Sequence, residues 1–115
     1  MEGKNMLDKD AYARDLGYLE LYGQEDWVGF GVVSGVVSGL LGGGVGVEQQ
    51  REVALKVVGD LHDRGVVPGD LTEAPDHPFV PWELNKEDAV SRIARAMEKM
   101  AELPDTGDIC WFSSD

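Results

Sequence analysis

Cys110, His62 and His77 are the side chains of this chain best suited to attack an electrophile or to carry a proton near neutral pH. A nucleophilic cysteine needs a base, a group that orients the base and an oxyanion site, and no spacing in the sequence supplies them. His62 is flanked by Asp60 and Asp63 on what reads as the outward side of a helix, and His77 stands among prolines. Cys110 falls in a segment with strand character, where a small buried apolar residue is the ordinary role. No catalytic residue is expected. Asp60, His62, Asp63 and His77 together have the right donor types for zinc, but no HxxxH or HxH pair sets a ligand spacing, so no metal and no cofactor are expected. The Gly-rich run from Gly39 to Gly46 looks like a phosphate cradle only in its glycines. It lacks GxxxxGK[ST], and neither Lys nor Arg occurs between Arg14 and Arg51.

Charge and aromatics carry more. The 115 residues hold 10 Lys+Arg against 22 Asp+Glu, a net charge of −12, which repels nucleic acid and anionic membranes and favours a basic partner. Arg92, Arg95 and Lys99 cluster as on a DNA-reading helix, yet Glu87, Asp88, Glu98 and Glu102 offset them, as on a solvated face. Between Gly65 and Asp88 six acids face one base, Lys86, and from Ala101 onward Glu102, Asp105, Asp108 and Asp115 meet none. Phe79, Trp82, Trp111 and Phe112 are interleaved with these acids. Carboxylates around an exposed aromatic suit a basic partner's hot spot. The expected partner-binding set is Asp60, Asp63, Asp70, Glu73, Asp76, Trp82 and Glu83. Trp82 is the expected anchor, because the neighbouring prolines stiffen its segment. The competing reading, acids for solubility and tryptophans for the core, stays open at this point.

These residues need a scaffold. A composition of 43% apolar and 28% charged residues is globular, and the length suits one domain, 1–115, with residues 1–6 as an N-terminal extension. Met6 is a second candidate start. Leu7, Tyr12, Leu16, Leu19 and Tyr22 have helical spacing, and Gly23 is the expected terminator. Residues 47–64 read as a helix with Ala54, Leu55, Val58 and Leu61 inward and Gly65 as a left-handed C-cap. A turn is expected at Pro68-Gly69, and the proline-rich segment 73–82 reads as an ordered loop or edge strand. Asn85 caps a helix over 86–102 that Leu103-Pro104 stops, and a turn at 105–107 leads to a C-terminal strand. The expected fold is α+β and mainly helical, with about four helices. Its small sheet has two or three strands near the C-terminus, uniting 66–72, 78–82 and 108–113.

Trp27 to Val47 is twenty-one residues without a charge, long enough to cross a bilayer. Eight of them are glycine, and the flanks Glu25, Asp26 and Glu48 are acidic, so a buried helix is favoured over a membrane segment. The tetrad GVVS-GVVS-GLLG puts Val28, Val32, Val36 and Leu40 on one ridge, with Gly31, Gly35, Gly39, Ser34 and Ser38 as a groove for another backbone. That groove offers a homodimer contact. One cysteine, and no apolar run among the first twenty residues, point to the cytoplasm.

Residues 65–71 (GVVPGDL), 79–82 (FVPW), Arg92-Ile93 and 107–111 (GDICW) together resemble small acidic bacterial proteins of unassigned function, especially actinobacterial ones. The likeness spans roughly residues 50–112. Some such proteins look like immunity proteins of toxin systems. The resemblance implies a non-catalytic, cytoplasmic inhibitor that occludes a basic toxin or effector domain through an acidic face. The other reading is a regulatory or adaptor module acting as a homodimer.

Overall fold

The computed structural model describes residues 7–114. The expected extension at 1–6 lies outside them, Leu7 onward being described. Asp8 opens the first helix, its carboxylate accepting from the N–H groups of Asp10 and Ala11, which the first turn leaves without intrahelical partners. This helix, α1 (Lys9–Glu25), buries Leu16, Leu19 and Gly23. Gly23 does not end it. A Cβ there would come within 2.9 Å of Val66 Cγ1, so the glycine serves a close approach from another part of the chain. The helix stops two residues later, where Asp26 turns extended.

The uncharged stretch does not run as one helix. Val28–Gly29 forms β1, and α2 (Phe30–Leu41) follows directly. Phe30, Val33 and Val37 are its fully buried residues, whereas Val32, Val36 and Leu40 of the expected ridge are half-buried. The groove of small residues does receive another backbone, but one from this chain. Ser34 Oγ donates to Pro104 O at 2.6 Å, and a Cβ on Gly31 would meet Thr106 Oγ1 at 2.5 Å. After the turn at Gly42–Gly44 comes α3 (Val47–Asp63), which buries Val53, Ala54, Val57, Val58, Gly59 and Leu61. Gly65 has φ +88°, and its N–H donates to His62 O while that of Val66 donates to Leu61 O, closing the helix with a Schellman motif.

No turn forms at Pro68-Gly69; both lie inside β2 (Val67–Leu71). A proline in an interior strand is tolerated here because its carbonyl, and hence its missing N–H, faces β3 (Phe79–Pro81) just where that strand ends, at Trp82 N. Asn85 Oδ1 accepts from Asp88 N and caps α4 (Lys86–Met97), which buries Ala89, Ile93 and Met97. The helix ends short of 102. Bonds from Lys99 to Ala96 and from Met100 to Met97 tighten its exit, and Arg51 of α3 holds the Met100 carbonyl at 2.5 Å. The last strand, β4 (Trp111–Ser113), begins later than 108 because Ile109 adopts φ +63° in a tight turn closed by Cys110 N on Asp108 O.

Among the described residues the sheet has four antiparallel strands in the order β1-β4-β2-β3, so the fold is α+β and mainly helical, with one strand more than the two or three expected. Phe79–Pro81 pairs with β2 at the edge and not with the C-terminal strand. Gly29, Trp111, Gly69 and Pro81 are in register across it and share one face; Val28, Phe112 and Pro68 share the other. On that second face Phe112 meets Phe30 edge-on at 5.3 Å, joined in the core by Leu19, Val33, Leu61, Ile93 and Met97. Among the described residues no helix is long and apolar enough to cross a membrane.

Candidate functional site

Asp60 and Asp63 stand near the C-terminal end of α3, and the protein's own groups take both up. The Tyr12 hydroxyl donates to Asp60 at 2.5 Å, and Lys56 Nζ lies 3.1 Å from the same oxygen and 4.7 Å over the Tyr12 ring. Burial works against the Asp60 charge, but the Tyr12 and Lys56 donors outweigh it and hold the carboxyl below its usual value. Burial, aided by the same hydrogen bond, pushes the Tyr12 hydroxyl well up. Asp63 accepts from Lys86 of α4 at 2.8 Å, which raises that ammonium's pKa. These pairs fasten α1 and α4 to α3.

Asp70 and Trp82 come together across the β2–β3 hairpin. Trp82 Nε1 donates to Asp70 Oδ2 at 3.2 Å, and the Arg92 guanidinium lies 3.7 Å over the half-buried ring. The expected anchor thus has its N–H and one ring face engaged by its own chain. Glu73 and Asp76 are exposed in the loop between these strands, whose shape is set by Thr72 Oγ1 donating to His77 O and accepting from Ala74 N. Glu83 is exposed just beyond β3 with φ +61°, a left-handed conformation unusual for a non-glycine residue. Among the described residues Glu73, Asp76 and Glu83 form no ion pair. A recess of about 90 Å³, lined by His62, Pro68, Trp82, Glu83 and Leu84 among others, joins the hairpin to the end of α3.

The most exposed large apolar side chains lie elsewhere. Leu21 is 56% exposed and Tyr18 54%, both on the C-terminal half of α1; Val80 on β3 follows at 42%, and Trp27, just past the end of α1, at 39%. Tyr18 meets Tyr22 edge-on at 5.9 Å. Tyr18, Leu21, Tyr22, Glu25 and Asp26 line an open notch of about 360 Å³. A second notch, about 340 Å³ and polar, takes Gly23, Gln24, Glu25, Asp26, Trp27, Ser113 and Ser114. Glu25 and Asp26 are the ridge between the two, and neither has an ion pair among the described residues. The sequence held a signal for this corner: α1 carries more large apolar residues than one inward stripe can bury, and Tyr18 and Leu21 are the surplus.

A further cleft, about 540 Å³, runs along the small-residue groove between Gly35, Ser38, Val45, Gln50 and the 101–105 segment. Cys110 is buried, and burial pushes its thiol well above the ordinary value. His62 Nε2 is 3.2 Å from Leu84 O, and His77 is exposed in the hairpin loop. Among the described residues no three His, Cys, Asp or Glu side chains gather as a metal site would. Compared with known proteins, the chain matches no family model, no curated protein and no solved structure.

Proposed function

We propose that this chain is a non-catalytic, cytoplasmic binding protein of the immunity type, which occludes a basic toxin or effector domain with its acidic surface. The observation that carries the reading is a run of exposed carboxylates with no ion pair among the described residues, Glu73 and Asp76 on a hairpin loop of fixed shape and Glu83 just beyond it. Charges left unpaired on a stiff loop steer an oppositely charged partner at little entropic cost. The resemblance of residues 50–112 to small acidic bacterial proteins supports the same reading. The rival, an adaptor dimerising through the Gly/Ser groove, keeps only the Gly35–Gly39 half, because residues 104–106 occupy the other.

An immunity gene lies beside the gene of its toxin, so the neighbouring product is the partner to test. Co-expression should yield a complex whose association slows as salt rises. Glu73→Gln, Asp76→Asn and Glu83→Gln together should slow association and flatten that salt dependence without changing the melting temperature. A complex indifferent to salt and to this triple substitution would refute the acidic-face reading.

A further inference from the structure

We propose that the corner where α1 meets β1 is an anchor for a partner segment that presents a large apolar side chain beside an arginine or lysine. The inference rests on the reading of a basic protein partner and adds where that partner is held. Tyr18, Leu21 and Tyr22 form the walls of the apolar notch, roomy enough for one leucine- or phenylalanine-sized side chain. Across the Glu25–Asp26 ridge, the polar notch is lined by Gln24, Glu25, Asp26 and the partly exposed Trp27, a set that suits a cation, with one Asp26 oxygen accepting from Trp27 N at 2.7 Å. The negative end of the α1 dipole points the same way, and the last turn of the helix contains no basic residue to neutralise it. An apolar patch of this kind next to uncompensated charge selects its ligand by both properties at once.

Charge decides among the possible occupants. A second copy docked through the same patch would bring Glu25 and Asp26 against their own counterparts, because a two-fold contact sets a surface against itself. An anionic lipid surface would be repelled by the same ridge and by the net charge of −12. A cationic, amphipathic protein segment satisfies both notches.

The test uses the full chain and two synthetic peptides of equal charge, one an amphipathic helix with leucine along one face and arginine beside it, the other arginine and glycine only. Titration calorimetry, with amide chemical shifts to locate the contact, should show the amphipathic peptide binding at the corner and the charge-only peptide binding at least about tenfold more weakly. Leu21→Ser with Trp27→Ala should weaken the amphipathic peptide at least about tenfold while the protein stays folded, since Leu21 is mostly exposed and Trp27 partly so; Leu21→Ser alone, which leaves the melt in place, should weaken it too. The hairpin substitutions at Glu73, Asp76 and Glu83 should leave its shifts at the corner unchanged. Equal binding of the two peptides, or loss of binding only in the hairpin variant, overturns the anchor while leaving the basic-partner reading intact. Absence of amphipathic-peptide binding at low salt also overturns the anchor, and the salt dependence of the neighbouring gene product still tests the wider reading separately. Dimerisation in sedimentation, or binding to phosphatidylcholine vesicles, that Leu21→Ser abolishes would assign the corner to another occupant and refute the proposal.

Discussion

Trp82 and Trp27 head two clusters with the same ingredients, an indole, carboxylates and a neighbouring turn, yet one is closed and the other open. At Trp82 the chain supplies every complement itself: Asp70 takes the indole N–H and Arg92 covers the ring. At Trp27 no cation of the described residues reaches Glu25 or Asp26, and Tyr18 and Leu21 stand uncovered beside them. The difference is one arginine and one indole hydrogen bond. An acid–aromatic cluster with its own cation is a tie within the fold, and the same cluster without one keeps its valence for something else.

The hairpin behind the closed cluster is where a single substitution should cost the fold most. Gly69 sits in register between Trp111 and Pro81, and a Cβ there would press into the Val80 carbonyl and to 2.7 Å from Phe79 Cζ. Gly69→Ala should therefore cost about 3 kcal/mol, or prevent folding, because backbone cannot step aside as a side-chain tip can. Urea unfolding measures it, and a loss under about 1 kcal/mol would show that β3 is free to shift.

Trp82→Ala comes next, at about 2–3 kcal/mol, from lost packing and from the carboxylate and guanidinium left without their partner. Partner affinity, by contrast, should change only as far as stability does. A Trp82→Ala protein that melts normally but loses its partner would invert the two clusters' roles.

Tyr12→Phe probes a third tie, between α1 and α3, and should cost about 1 kcal/mol once the partial exposure of Asp60 is allowed for. The signs follow from the shifts. Asp60 is held below its ordinary value of 3.8, so its contribution is present above that pH and is lost as pH falls through the lowered value. Tyr12 is raised above 10.0, so its contribution is present below that pH and is lost as pH rises towards the raised value. The stability gap between the wild type and Tyr12→Phe should hold across neutral pH and narrow in strong acid; a gap independent of pH would separate the pair from the stability it is credited with. The smallest effect belongs to the open cluster: Leu21→Ser should shift stability by less than about 0.5 kcal/mol.

The helices were legible in the sequence wherever a local rule decides them. Asn85 and Asp88 make the cap of α4, and Gly65 with Val66 makes the Schellman end of α3. What local rules miss are residues whose neighbours are distant in the chain. Gly23 reads as a terminator until Val66 is placed against it, and Pro68-Gly69 reads as a turn until β4 and β3 flank it. Val28 and Gly29 read as helix because only pairing with Phe112 and Trp111 makes them a strand. The candidate site divides the same way. The acids could be counted from the sequence, but which of them the chain neutralises depends on Lys56, Lys86 and Arg92 arriving from other turns and helices. Tyr18 and Leu21 lie off the inward stripe of α1, and only the tertiary packing shows that nothing among the described residues covers them.

The position of β4 in the sheet has a consequence for how the molecule is made. It lies between β1 and β2, so the two strands synthesised earlier have no direct bond to one another and are joined only through the strand that follows α4. On the ribosome the helices and the β2–β3 hairpin can form as they emerge, but β1 must wait across most of the chain for β4, the strand it pairs with. Closing so long a loop is a slow step for a chain this small, and until it happens Val28 and Phe30 have no Phe112 to pack against. A nascent chain stalled before Trp111 would therefore present Val28 and Phe30 unpacked, an opening for chaperones and proteases that closes when three residues arrive.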